Sequence, residues 1–401
     1  MKHSVLVVLT TVFSSFLGTS SALTDKCVRG SDTTDDLSFL VCEFCAAPAL
    51  VLTGEEATSK ATIQDLCANV ADDSSAGIMA ASVLEYGSLQ GYYWENNTLA
   101  QTCVQHLFQY MPRRDTMLMF NNLDVFLEFL FEHVRFAILG RTKGPTFTKD
   151  IPLDIFLDYV VPFTFLNEKR DLSWRWRPRF FQALHGPVWT ASNITGAMHI
   201  LASLLPSVAG NGVLQVDEKP VPGEVIQWES ETSPMNLSPQ QVQLHHGSCT
   251  GTAITMAAAA RAVGIPIRIA GCSQSIEGDD HHWTEFFDPA TPDGPFAYAK
   301  HWHTKEGTSS GNAGGPWDGL SGPMEKCLAY LVPKDPRRLN TVWASQYSGP
   351  ANMPLQWGKS PFLMKFGRIG AVNRCGDYCQ TFGCGANRTK RWTQSECGTE
   401  F

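Results

Sequence analysis

Apolar residues recur along this chain first at helical and later at strand spacing. Leu123, Phe126, Leu127, Leu130, Val134 and Ala137 fall three and four apart, which predicts a helix with Asp124, Glu128, Glu132 and Arg135 on its polar side. Phe129 and Phe131 widen its apolar face, so it is expected to be well buried, and Gly140 is read as its stop. Ile151 to Val161 is a second apolar stretch. Asn193 to Leu205 reads as another helix, with Ile194, Met198, Ile200, Leu201 and Leu204 available for burial. Thr250 to Val263 holds six alanines and ends at Gly264, with Pro266 forbidding continuation. The period then changes. Ile265, Ile267 and Ile269 alternate with Pro266, Arg268 and Ala270, a strand signal. The same alternation puts His281, Trp283 and Glu285 on one face of a later strand and His282 and Thr284 on the other. The fold class is α+β, with helices preceding a sheet.

Composition narrows the compartment and the partners. Residues 1–22 read as a secretory signal peptide: Lys2 and His3 form a short basic start, Val5 to Leu17 is largely apolar, and Ser20-Ser21-Ala22 offers a small-residue cleavage site. The apolar run is too short to span a bilayer and no later run approaches that length, so the mature chain is expected to be secreted without a membrane span. Of 401 residues 43% are hydrophobic and 17% charged, which suits a large core. The net charge of −8 becomes −9 without Lys2, and no long basic run argues for nucleic acid. Twelve cysteines in an exported chain imply disulfides. Sequons stand at Asn96, Asn193, Asn236 and Asn387, so a glycoprotein is expected. Cys42 and Cys45 form a C-x-x-C, read as two disulfide half-partners. The run NRCGDYCQTFGCG, from Asn373 to Gly385, is read as held by bridges because it is too tight to bury a core.

The chemistry concentrates at Cys249, which follows the turn residues Gly247 and Ser248 and opens the alanine-rich helix. Unpaired backbone N–H groups and the helix dipole stabilise a thiolate there. A thiolate nucleophile needs a base, and the base an orienting group. Downstream lie DDHHWTEFFDP, containing His281, Trp283 and Glu285, and PFAYAKHWHTKEGTS, containing Trp302 and Glu306. In this order the motifs resemble the transglutaminase-like superfamily, whose Cys-His-Asp triad sits on a papain-like core. Arg261, Gly264, Ile265, Pro266 and Arg268 match the superfamily's R-x-x-G-I-P-x-R segment. The resemblance implies Cys249 as nucleophile, His281 as base because His-x-Trp spacing is fixed by Trp283, and His282 as the spacer. Glu306 falls where the superfamily has Asp, four residues after a Trp, and Asp318 is the second choice. The backbone N–H of Cys249 is the safest oxyanion donor, and Gln241 and Trp228 are candidates for the second. The segment Met111 to Phe181 resembles the region before the core in secreted bacterial and algal proteins.

Rival readings stay open at some positions. Six of the eleven histidines lie between His245 and His303, which invites a metal site, but no pair has the i, i+4 spacing of helical zinc enzymes. The segment NEKRDLSWRWRPRFF is either a binding surface or arginine stacked on tryptophan at a seam, and the latter is preferred. The expected organisation is a signal peptide at 1–22, a cysteine-containing helical region at 23–103 and a second helical region at 104–184. The catalytic core follows at 185–330 and a cysteine-rich tail at 331–401. The expected activity is acyl transfer at an amide of a protein or peptide, using no cofactor and no metal, by hydrolysis, deamidation or transamidation. A non-catalytic binding protein on the same fold, at a cell surface or in an extracellular matrix, is the alternative. The sequence leaves the acyl acceptor and the oligomeric state open.

Overall fold

The computed structural model describes residues 97–112, 115, 118–119, 122–166, 168–210, 238–244, 249–274, 279–290, 297–298, 302–305, 342–349, 351–352, 369–382 and 389. The chain divides into two units, 1–123 and 124–401. In the first, helix α1 (Asn97–Gln109) buries Ala100, Cys103, Val104 and Leu107, the i, i+3, i+4, i+7 set of one face.

The second unit is α+β. Helix α2 (Leu123–Lys143) buries Phe126, Phe129, Leu130, Phe131 and Val134, as the apolar spacing predicts. It runs three residues past Gly140, the expected stop. Gly140 is instead a contact point: a Cβ there would lie 3.2 Å from the Cα of Gly264. The chain continues through α3 (Thr146–Lys149) and α4 (Leu153–Tyr159) to α5 (Trp176–Val188). Then follow α6 (Ile194–Gly210), α7 (Pro239–Leu244) and α8 (Cys249–Ala262). Ser238 caps α7 as a capping box: the Gln241 N–H donates to Ser238 Oγ (3.3 Å) and the Ser238 N–H to Gln241 Oε1 (3.1 Å).

Helix α8 is the buried axis of the unit. Every residue from Thr250 to Ala262 except Thr252 is buried, and its small side chains let α5, α6, α7 and the sheet approach closely. It ends at Gly264 with φ +89, a left-handed turn that a Cβ would strain.

Among the described residues, seven strands form one antiparallel sheet: β1 (Ile267–Gln274), β2 (Asp279–Phe287), β3 (Ala297–Tyr298), β4 (Trp302–Lys305), β5 (Trp343–Ser345), β6 (Ala351–Asn352) and β7 (Gly370–Asn373). Their order is β3-β4-β2-β1-β5-β7-β6. Register fixes which side chains share a face. Ile267 pairs with Phe286, Ile269 with Thr284 and Gly271 with His282, and this face meets α8. Arg268 pairs with Glu285 and Ala270 with Trp283 on the other face. There Trp283, Phe287, Trp302 and Ala344 join Tyr159 of α4 and Cys375, Tyr378 and Cys379 of α9 (Cys375–Phe382) in one apolar cluster. This part of the C-terminal segment therefore does bury a core, through the i, i+3, i+4 face of a two-turn helix. Cys379 is disulfide-bonded.

Candidate active site

Two buried arginines hold α8 in place. Arg261, in its last turn, donates to the carbonyl oxygens of Thr164 (2.6 Å), Pro162 (3.2 Å) and Ile267 (3.1 and 3.3 Å), and lies over the Phe165 ring. Burial lowers its pKa to about 9. Arg177 of α5 donates to the carbonyls of Val160, Pro162 and Arg261. The Trp189 indole caps the same helix end through the Val263 carbonyl (3.0 Å). The tryptophans and Arg177 at the start of α5 thus face inward: Trp174, Trp176 and Arg177 are buried, with Arg177 over Trp176 and Arg179 over Trp174.

At the other end of α8 the first residue is Cys249, as the sequence pattern requires, and it is partly exposed. Its Sγ lies 3.9 Å from Thr250 Oγ1. That hydroxyl, itself buried, shares a 2.9 Å hydrogen bond with Nδ1 of His282 on β2. An imidazole of the doublet therefore does reach the first turn of the cysteine helix, and it belongs to the residue expected to be the spacer. Strand alternation is the reason: His282, Thr284 and Phe286 take the face that α8 covers. His281 occupies the intervening register position, opposite Cys272. His303 of β4, paired with Phe286, stacks on its ring with centroids 5.2 Å apart.

Behind the strand lies an ionic cluster. Glu285 is fully buried and accepts from Arg268 Nε (2.6 Å) and from the Tyr378 hydroxyl (2.5 Å), with Arg374 3.9 Å away. Trp283 Nε1 donates to the same Tyr378 oxygen (2.6 Å). The Arg268 guanidinium lies 3.7 Å from the Trp302 ring centroid. Burial by itself would raise the Glu285 pKa. The charges of Arg268 and Arg374 and the bonds from Tyr378 and Arg268 outweigh it and hold the carboxyl below its usual range. Thr250, Tyr378 and Arg374 were invisible to motif reasoning. The only sequence signal for Tyr378 was its spacing from Cys375 and Cys379.

Glu306, Asp318 and Trp228 lie outside the described residues, and the Gln241 Oε1 is engaged in the α7 cap. Among the described residues, no group of three or more His, Cys, Asp or Glu is gathered for a metal, and no helix is long and apolar enough to cross a membrane. Residues 224–299 match the family model Transglut_core, the transglutaminase-like superfamily, so this stretch, which contains Cys249 and the histidine doublet, is a transglutaminase-like domain. No curated protein and no solved structure matches the chain.

Proposed function

We propose that this chain is an exported thiol-dependent enzyme that transfers acyl groups from amides, built on a papain-like core braced by disulfides. Superfamily membership of the stretch supports the class of chemistry. The observation that carries the assignment to residues is Cys249 at the start of a buried helix whose first turn is bonded to an imidazole of the His281–His282 doublet. The base withdraws the thiol proton, and the thiolate attacks the amide carbonyl. The Cys249 N–H faces the developing oxyanion, the amine departs with the returned proton, and a thioester remains. Water resolves it to an acid, or a primary amine to a new amide. Glu306 is the proposed orienting carboxylate, with Asp318 the second choice. The superfamily spacing to Trp283 favours His281 as the base, and the bond to Thr250 favours His282.

The test compares wild type with Cys249→Ser, His281→Ala and His282→Ala on an amide library, with and without a primary amine. Loss of the nucleophile or of the true base is expected to lower turnover by about four orders of magnitude. The histidine whose loss leaves the rate intact is the spacer. Equal rates in all four proteins would overturn the enzyme reading in favour of a binding protein.

A further inference from the structure

Direct contact between sulfur and imidazole is the simplest way to activate a cysteine. Here one buried hydroxyl reaches both a cysteine sulfur and an imidazole nitrogen. Thr250 is 2% exposed, its Oγ1 is 3.9 Å from Cys249 Sγ, and the same oxygen is 2.9 Å from Nδ1 of His282, also 2% exposed. We infer that Thr250 is a positioning residue that relays the proton from Cys249 to His282, a role that rests on the thiol chemistry proposed above. The thiol proton passes to Thr250 Oγ1 as the hydroxyl proton passes to His282 Nδ1. The Sγ–H and Oγ1–H bonds break, new Oγ1–H and Nδ1–H bonds form, and nothing is oxidised or reduced. The product is a thiolate and an imidazolium joined by a hydroxyl that donates to sulfur and accepts from the ring.

Three features favour this over a merely structural threonine. A buried hydroxyl beside a helix backbone usually bonds the carbonyl four residues back, as Thr255 does with Gly251 (2.9 Å). Thr250 stands at the second position of α8, where no helical carbonyl precedes it, so its hydroxyl is directed across to the strand. The dipole at this helix end favours the thiolate. Finally, the alternating strand sorts the charged groups. Of the described titratable side chains of the sheet, His303 shares the α8 face, whereas Arg268 and Glu285 pair with each other on the opposite one.

The experiment needs no substrate. Iodoacetamide alkylation of Cys249 is followed from pH 5 to 9 by mass spectrometry of its peptide, in wild type, Thr250→Ser, Thr250→Val, His281→Ala, His282→Ala and the Thr250→Val/His282→Ala pair. Wild type is expected to titrate below the ordinary thiol value of about 8.5. Thr250→Ser keeps the hydroxyl and the profile. Thr250→Val and His282→Ala each slow alkylation about tenfold at pH 6.5, because less of the thiol is ionised there, and the double variant is no slower than either. Should Thr250→Val fail to fold, Thr250→Ala takes its place. A wild-type profile in the Thr250→Val protein, an equal loss in Thr250→Ser, or a change confined to His281→Ala would overturn the relay and leave the enzyme reading standing. A wild-type thiol that titrates near 8.5 would overturn both.

Discussion

At Glu285 a single carboxylate decides the fate of several neighbours. It is fully buried and its charge is met by Arg268, by the Tyr378 hydroxyl and, more distantly, by Arg374. Removing one member of a buried pair strands the other, which costs more than the pair contributes when intact. Arg268→Met is therefore expected to destabilise the fold by about 3–5 kcal/mol, measured by urea unfolding. Tyr378→Phe deletes the donor to Glu285 and the acceptor of Trp283 together, with an expected loss of about 1–3 kcal/mol. If Tyr378→Phe unfolds at the wild-type midpoint, the hydroxyl does not hold this cluster.

Among the elements, the turn from α8 into β1 combines a left-handed backbone with a close approach to α2. Gly264 has φ +89, and a Cβ there would lie 3.4 Å from the Gly140 Cα and 3.4 Å from the Thr148 Cγ2. Gly264→Ala is expected to cost about 1–2 kcal/mol in left-handed strain alone, read as a lowered urea midpoint; an unchanged midpoint would show that the turn is soft. The sequence displayed α8 fully, because an alanine-rich stretch closed by Gly264 and Pro266 admits one reading. It displayed β1 and β2 through alternation, and α2 through its phenylalanine spacing. It concealed the continuation of α2 past Gly140, since a glycine used for close approach has the same letter as one used to stop a helix. It concealed α5, where tryptophans and arginines break the usual apolar–polar contrast by burying both. At the site, Cys249 and the doublet were legible, but which histidine meets α8 was not. That choice depends on strand parity, which a motif counted from Trp283 does not fix.

For the molecule as a whole, acid is the revealing perturbation. His133 of α2 is fully buried among Phe129, Phe163 and Trp176, with Nδ1 bonded to the Phe129 carbonyl (2.9 Å). Burial, with the Arg177 and Arg175 charges, holds its pKa well below 6.5. The unfolded chain therefore takes up this proton first. Stability is complete above about pH 6.5 and declines as pH falls below it. Glu285, also depressed in the fold, adds a further decline below the ordinary carboxylate range near 4.5. Urea midpoints at pH 8, 6, 5 and 4 are expected to fall in that order. A His133→Gln variant should flatten the step between 8 and 5 while leaving the later one, and a full step in that variant would assign the decline elsewhere. The meeting of Gly140 and Gly264 carries a different kind of consequence, for the route by which such a chain can change. Two residues without side chains whose backbones lie this close are coupled under mutation: a Cβ on Gly140 meets the Gly264 Cα at 3.2 Å, so the junction must give by a few tenths of an ångström to admit it. A larger residue at either position is expected to be accepted only as far as the junction between α2 and the end of α8 can widen, so changes at the two would tend to arrive together.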